Sequence, residues 1–415
     1  MKKVKSFFSD HKLSLFFFGF LMAYSFVISG NLGLWKVDSI TYSFHVVDFS
    51  IGFCTKLLPG AVCNFLFDEI TENKISIYLT VLIAICFFLI GVLLEKIIKE
   101  TDEAFRKTLF ILIMFFLTGP ATFSIYTDAF CWLDFYWLFA AVIALLLLIK
   151  KQLYFLIVPL MLATVMVHFA SILCYIPFVC IIMLYKISET VNKKEKAYLW
   201  IIWTATVVSA LGLSLYMAVY ETEHVKMTME EMNELLLSRG VDNFKYYDFS
   251  FFRDQVADKM PEYYTPESEG LVLNIDMTQS PVKILIDMIY QQMATTLFQA
   301  SAKGDYKFYI ILLPLVIFIY KQLSILFKLS SGQHLKRFSI FCAGALLLVT
   351  LFFGIIFSTD TIRWISHSFT PFFAFFLYAF YKEGEEYKAA VENSLKKIPQ
   401  KVAICYLAIY SITVN

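Results

Sequence analysis

Nine stretches of the chain are apolar enough and long enough to cross a membrane as helices. A crossing helix needs about 20 predominantly apolar residues, because the hydrocarbon core of a bilayer is roughly 30 Å thick. The composition agrees, since 59% of the residues are hydrophobic, whereas soluble domains contain about 45–50%. We therefore expect an all-α, multi-pass integral membrane protein. The stretches cover residues 13–29, 75–94, 108–125, 133–149, 198–219, 308–326, 338–357, 367–381 and 402–415.

A further apolar segment, residues 153–185, is too long for a single crossing. Its sequence, LYFLIVPLMLATVMVHFASILCYIPFVCIIMLY, carries His168 near the middle. Because a polar group inside hydrocarbon is costly, we predict two short spans that meet at His168. The prediction for the whole chain is then about 11 transmembrane helices.

The lysines and arginines predict the orientation of these spans. Most of the 35 basic residues fall in segments that face the cytoplasm if the amino terminus is inside, as the positive-inside rule requires. We expect a bacterial plasma-membrane protein with a cytoplasmic amino terminus. The basic start MKKVK before an apolar run also fits a cleavable signal peptide, but no clean cleavage site follows, which favours an uncleaved first span.

The predicted spans divide the chain into three parts. An amino-terminal membrane region covers residues 1–219 and includes a first outer loop at 30–74. A polar segment at 220–307 is expected to form an extracytoplasmic loop or cap. A carboxyl-terminal membrane region covers residues 308–415.

Several connecting segments have local signals of their own. The first outer loop is rich in aromatic residues and predicts two interfacial helices, at about 36–48 and 50–67. The motif MEEMNELLLSRG in the outer segment predicts a helix that ends at Gly240. Two charged inner segments, EKIIKETDEAFRKT and YKEGEEYKAAVENSLKK, are interpreted as solvated helical connectors.

Cysteine and charge content exclude several classes of function. The eight cysteines show no metal-ligand spacing, so neither a metal nor another cofactor is predicted. Cys54 and Cys63 share the first outer loop, where both a disulfide and two separate thiols fit the sequence, and we expect two thiols. A net charge of +1 gives no reason to expect a nucleic-acid partner.

Ionisable side chains at membrane depth gather at one end of the predicted bundle. The inner ends of the spans carry ordinary lysines, whereas the outer ends collect acids, histidines and one arginine. Because such groups are costly near hydrocarbon, they commonly mark functional sites. We therefore predict a single outer-leaflet site. The residues concerned are Asp38, His45, Asp48, Asp128, Asp134, His168, Asp360, Arg363 and His367.

The first outer loop supplies a possible acid–base unit. Asp38, Tyr42 and His45 share one helical face by their spacing, and Asp48 lies one turn beyond His45. A carboxylate beside an imidazole is suited to proton transfer. The alternative is that these residues only cap or flank an interfacial helix.

Three other outer positions have both a functional and a structural interpretation. Asp128 is compatible with a simple turn or helix cap, whereas Asp134 is followed directly by apolar sequence and needs a partner or water. His168 is either a site residue or a histidine satisfied by a backbone carbonyl.

The motif STDTIRWISHSF places Asp360, Arg363, Trp364 and His367 on one helical face. Arginine suits a phosphate, because its planar guanidinium forms paired charge-assisted hydrogen bonds. The alternative is a salt bridge between Asp360 and Arg363 that only tethers the loop.

This layout resembles the GT-C class of membrane glycosyltransferases. The resemblance rests on the inside amino terminus, the first outer loop with interfacial helices and acids, the short paired spans and the late outer arginine, over about residues 1–190 and 338–381. It implies that Asp38 or Asp48 is the base that activates the acceptor hydroxyl. It also implies that Arg363 binds the phosphate of a polyprenyl-phosphate sugar and that His367 assists.

The sequence departs from that class in two respects. Members commonly carry nearly adjacent acids in the first loop, whereas Asp38 and Asp48 are separated, and the outer insertion lies between spans. A polysaccharide polymerase of the exopolysaccharide or O-antigen type also fits, since DSITY and VHFAS resemble its motifs. A transporter or flippase is the third possibility.

The expected partners follow from the preferred interpretation. They are a lipid-linked sugar donor, a glycan, lipid or protein acceptor, and membrane lipids. The resulting product would be a cell-envelope glycan.

Overall fold

The structure is a computed structural model whose regular elements are all helices within the residues that it describes. This confirms the all-α fold class for that part of the chain. The described residues are 11–28, 37, 39–119, 133–220, 225–241, 283, 306–357 and 361–399, with 401–403, 405–406 and 409 near the carboxyl end.

The described ranges contain fourteen α-helices, which are numbered in chain order. They are α1 Lys12–Ile28, α2 Ser39–Val46, α3 Leu58–Leu66, α4 Glu72–Glu100, α5 Glu103–Leu117, α6 Asp134–Lys150, α7 Ile157–Val167, α8 Tyr175–Glu189, α9 Lys193–Tyr220, α10 Met229–Ser238, α11 Tyr306–Leu329, α12 His334–Phe357, α13 Thr361–Lys382 and α14 Glu385–Lys396. We call the ends that carry Asp134 and Arg363 the outer ends, following the predicted orientation.

Five of the described helices are long and apolar enough to cross a membrane. Such helices identify the chain as a membrane protein, because their lipid-facing apolar surface has no other favourable environment. Two shorter apolar helices, Lys12–Ser25 and Tyr154–Val167, accompany them. The five candidates are Glu72–Glu100, Phe169–Glu189, Lys193–Met217, Ile310–Leu329 and His334–Phe352.

The long apolar segment is divided at His168, as the sequence predicts. The helix α7 ends at Val167, and His168 then adopts an extended backbone that caps the 3-10 helix Phe169–Leu173. The helix α8 follows from Tyr175. Two short helices therefore replace one long one, and His168 lies at their junction.

The first outer loop contains the two predicted short helices. They are α2 and α3, and they pack against each other at a close backbone approach between Val47 and Gly60. The described cysteines of this loop, Cys54 and Cys63, are not joined in a disulfide, as expected.

Part of the outer segment 220–307 packs on that loop. The helix α10 begins with a capping box between Thr228 and Glu231 and is followed by Gly240 at φ 82°, as the motif predicts. Arg239 donates through Nη1 to the carbonyl of Val46, and Tyr42 donates its hydroxyl to the carbonyl of Arg239 over 3.0 Å. These long-range bonds hold α10 against α2.

The amino-terminal helix is fixed by an unusually close contact with α4. Gly91 lies against the backbone of Ser14, where a Cβ atom would come within 2.5 Å of the Ser14 carbonyl oxygen. One turn further along α4, the buried Glu95 carboxylate accepts from the Ser14 amide over 3.0 Å and also from its hydroxyl. Gly91 allows α1 and α4 to lie this close because it has no side chain. The Glu95 carboxylate then accepts hydrogen bonds from the Ser14 groups that the contact buries.

The inner connectors are packed more tightly than the sequence predicts. Lys388 and Tyr387 of α14 are buried, with 4% and 1% of their surface exposed. Tyr381 donates its hydroxyl to Glu100. Lys388 donates to Asp102 over 3.0 Å, and this ammonium lowers the pKa of the Asp102 carboxyl. The prediction of purely solvated connectors is therefore wrong, because α14 folds back onto the inner ends of the bundle.

Candidate functional site

The outer ends of α6 and α13 meet at a buried ion pair. Asp134 is the first residue of α6 and is 5% exposed, at the helix end where the macrodipole favours a carboxylate. Arg363, near the start of α13, donates to this carboxylate through both Nε and Nη2, with Nη2 2.7 Å from Oδ1. Paired contact of this kind is the strongest arrangement between arginine and a carboxylate.

His367 adds a second basic group to the same carboxylate. It follows Arg363 by one helical turn, is 1% exposed, and places Nε2 2.9 Å from Oδ2 of Asp134. This distance brings the imidazole into direct contact with the carboxylate. We call Asp134, Arg363 and His367 the outer charge cluster.

Aromatic side chains enclose the imidazole of His367. Its ring centroid lies 5.4 Å from that of Trp137, 6.0 Å from that of Tyr175 and 6.3 Å from that of Trp364. Such walls exclude water and strengthen the electrostatic interactions between enclosed charges. The outer charge cluster is therefore held in a largely dehydrated environment.

His168 joins the site through Trp137. The two ring centroids are 5.6 Å apart in an edge-on arrangement. The Nδ1 atom of His168 accepts from the amide of Ala170 over 3.1 Å, so the hydrogen of the neutral ring is on Nε2. The partner of this nitrogen is a backbone amide and not the backbone carbonyl that the alternative interpretation predicts.

A lysine from the first outer loop approaches the same histidine. The amide of Lys56 donates to the carbonyl of Met166 over 3.0 Å, close to the end of α7, and its ammonium interacts electrostatically with His168. Lys56 has a left-handed backbone with φ 67°, a conformation that is costly for a residue with a side chain. The contact between the loop and α7 therefore maintains a strained turn.

His45 links the first outer loop to α6. It is fully buried, donates from Nδ1 to the carbonyl of Thr41 over 2.6 Å, and accepts at Nε2 from the hydroxyl of Tyr136 over 2.7 Å. Tyr136 lies two residues after Asp134, so this bond fixes the loop beside the outer charge cluster.

The predicted acid–base unit of His45 and Asp48 does not form. The helix α2 ends at Val46, so Asp48 does not continue the helical face of His45. Asp48 instead caps the 3-10 helix Phe49–Ile51 by accepting from the Ser50 amide over 2.8 Å, and it also accepts from the Asn64 side chain. The physical reason is that aspartate favours the cap position, where its oxygen binds an amide at the start of a helix.

The structure therefore brings together four of the predicted site residues. These are Asp134, His168, Arg363 and His367, assembled from three separate parts of the chain. His45 contacts the adjoining turn of α6, and Asp48 lies in the first loop with other partners. Three further candidates, Asp38, Asp128 and Asp360, lie outside the described residues.

Several buried uncharged donors belong to residues at or next to the site residues in sequence and were not predicted. The indole nitrogen of Trp137 and the hydroxyl groups of Ser171 and Ser366 are buried without a hydrogen-bond partner among the described residues. Ser366 precedes His367, and Ser171 lies in the 3-10 helix after His168. Buried donors of this kind are normally paired, and the indole ring of Trp137 contacts the rings of both His168 and His367.

Comparison with known proteins identifies no family for this chain. No protein-family model, curated protein or solved structure matches the chain. Function is therefore argued from the site alone. Among the described residues, no three His, Cys, Asp or Glu side chains are grouped as metal ligands would be.

Proposed function

We propose that the protein is a membrane glycosyltransferase that uses a polyprenyl-phosphate-linked sugar at the outer leaflet for the synthesis of a cell-envelope glycan. The observation that supports this proposal is the outer charge cluster of Asp134, Arg363 and His367. A half-buried guanidinium and a buried imidazole that contacts aromatic side chains form an environment suited to a phosphate and a sugar.

The chemistry of transfer explains why such a cluster would be useful. When the sugar leaves a polyprenyl phosphate, the bond between the anomeric carbon and the phosphate oxygen breaks, and negative charge develops on that oxygen. A fixed positive charge stabilises this state more than the ground state. Arg363 takes this role, and Asp134 fixes its orientation before the substrate arrives.

Hydrogen-bond geometry supports one further role, and the resemblance to the GT-C class supplies the others. His168 presents Nε2–H as a donor, since its Nδ1 is already an acceptor for Ala170, so it binds a substrate oxygen in this tautomer. The base that accepts the proton of the acceptor hydroxyl is assigned to a first-loop acid, Asp48 or next Asp38. His367 assists Arg363 at the phosphate. A polymerase of the exopolysaccharide or O-antigen type would use the same donor chemistry.

One observation favours a transporter or flippase as a second candidate. A cavity of about 80 Å³ with apolar walls lies inside the bundle along α13, and its lining includes Tyr175 at the outer site and Tyr378 nearer the inner ends. Pro371 of α13 also lines it, and a proline inside a helix removes one backbone hydrogen bond. A path of this kind would let α13 bend around a moving solute.

Removal of the Arg363 guanidinium is expected to lower transfer by on the order of 100-fold or more, since a contact made mainly in the transition state is lost. Purified protein is given a panel of radiolabelled polyprenyl-phosphate sugars, and wild type is compared with Arg363→Ala and Asp48→Asn. The matched control is Arg106→Ala, which removes an exposed arginine at the inner end.

Two outcomes would overturn the assignment. Full rates in both Arg363→Ala and Asp48→Asn would show that the assigned roles are wrong. If no donor reacts and the protein instead moves a solute into liposomes, the transporter function replaces the transferase.

The proposed topology has about 11 crossings with the amino terminus in the cytoplasm. In a variant without native cysteines, Ser238→Cys at the end of α10 is expected to react with an impermeant thiol reagent on intact cells. Ser331→Cys, in the exposed turn between α11 and α12, is expected to react only after lysis. The reverse labelling pattern would contradict the orientation.

A further inference from the structure

The inner ends of α6, α8 and α13 surround a cavity of about 360 Å³, on the opposite side of the bundle from the outer charge cluster. Three lysines line it, namely Lys151 after α6, Lys186 in α8 and Lys382 at the end of α13. Both Lys151 and Lys382 are close enough to Lys186 to interact with its charge. We call this the inner lysine cavity.

Lys186 is the least accessible of the three. It is 6% exposed, and its ammonium lies 5.6 Å from the centroid of the Tyr154 ring. An aromatic face offers a buried cation some attraction, but much less than a counter-ion. Burying an ammonium is costly, and this one is attracted by Glu195 and Glu189 of the same cavity but repelled by the other two lysines.

Two carboxylates, Glu189 and Glu195, line the cavity with the three lysines and attract them, but both also have other partners. Glu195 accepts from the hydroxyl of Tyr154 over 2.9 Å, and Glu189 lies 3.6 Å from Lys336. Within the part of the chain that the structure describes, no carboxylate forms an ion pair with Lys151, Lys186 or Lys382. The cavity therefore has an excess of positive charge.

A buried hydroxyl provides the second, independent observation. Tyr378 of α13 lines the cavity and is 3% exposed. Its hydroxyl is buried and has no hydrogen-bond partner among the described residues. The charges nearest to it include Glu189, which is also in the cavity wall. A phenol at this position is suited to donate a hydrogen bond to an anion that the lysines attract.

From these features we infer that the inner lysine cavity binds a phosphate group, either on the head group of an anionic lipid of the inner leaflet or as a soluble phosphate. Three ammonium groups would surround its oxygens, and the Tyr378 hydroxyl would donate to one of them. Basic cavities between transmembrane helices on the cytoplasmic side are suited to anionic head groups. The inference does not depend on the proposed transferase activity.

Binding is tested on the full-length protein in detergent. The probes are short-chain phosphatidylglycerol, phosphatidylcholine of the same chain length, and inorganic phosphate, with native mass spectrometry and thermal melting as readouts. Wild type is expected to bind phosphatidylglycerol or phosphate but not phosphatidylcholine. If inorganic phosphate does not displace phosphatidylglycerol, the ligand of the cavity is the lipid head group. If millimolar phosphate displaces it, the ligand is the soluble ion.

Three variants make the test specific to this cavity. Lys186→Gln and Lys382→Gln are each expected to weaken binding roughly fivefold. Tyr378→Phe, which keeps the ring and thus the packing, is expected to weaken it several-fold. The matched control Lys328→Gln removes an exposed lysine at the inner end of α11 and should change nothing. Equal binding by wild type and Tyr378→Phe, or an equal loss in Lys328→Gln, would overturn the inference.

Discussion

Replacing Asp134 with alanine is expected to lower the free energy of unfolding by roughly 3–5 kcal/mol. The substitution leaves the Arg363 guanidinium and the buried His367 ring beside each other without the carboxylate that both contact. The loss can be measured by unfolding the protein in mixed detergent micelles. In the glycosyl-transfer assay, we expect activity to disappear as well, because the guanidinium loses its fixed orientation.

Two controls separate the charge effect from loss of volume. Asp134→Asn keeps the shape and one acceptor oxygen but removes the charge, so an intermediate destabilisation is expected. Asp68→Ala removes an exposed aspartate at the outer side and is expected to have little effect. Equal unfolding free energies for wild type and Asp134→Ala would mean that the ion pair does not stabilise the fold.

The second large effect is expected at Gly60 of α3. A Cβ atom on this residue would lie 1.7 Å from the carbonyl oxygen of Val47 and 2.5 Å from its carbonyl carbon. Because both atoms belong to the backbone, no side-chain rotation relieves the overlap. Gly60→Ala should therefore separate α3 from the segment after α2 and cost at least about 3 kcal/mol, at the upper end of overpacking effects.

The same overlap should also disturb the site. Val47 follows His45 by two residues, so movement there would lengthen the bond between His45 and Tyr136. Gly19→Ala is the matched control, since a Cβ at this position in α1 meets no atom within 4 Å. Alanine favours a helix over glycine, so the control should be neutral or slightly stabilising. Unchanged stability in Gly60→Ala would contradict the close approach.

Features that depend on neighbouring residues could be predicted from the sequence. The division at His168 follows from segment length and one polar residue, and α10 follows from a cap motif and Gly240. Asp134 was expected to need a partner because apolar sequence follows it directly. The sequence did not identify that partner, since Arg363 is 229 positions away.

The site also contains groups that give no sequence signal. Trp137 and Tyr175 are aromatic residues within apolar runs, and only the folded arrangement places both beside His367. The pairing of His45 with Asp48 was inferred from helical spacing. The two residues do not share a helical face, because α2 ends at Val46 and Asp48 caps the 3-10 helix that follows.

The contact between α1 and α4 has a consequence for biosynthesis. Ser14 emerges from the ribosome first, yet its partner Glu95 is 81 residues later in the chain. At about 5–20 residues per second, the first helix waits on the order of 4–16 s before α4 is available. During that interval α1 is inserted without the helix that completes its packing, so delayed release from the insertion machinery would protect the nascent chain.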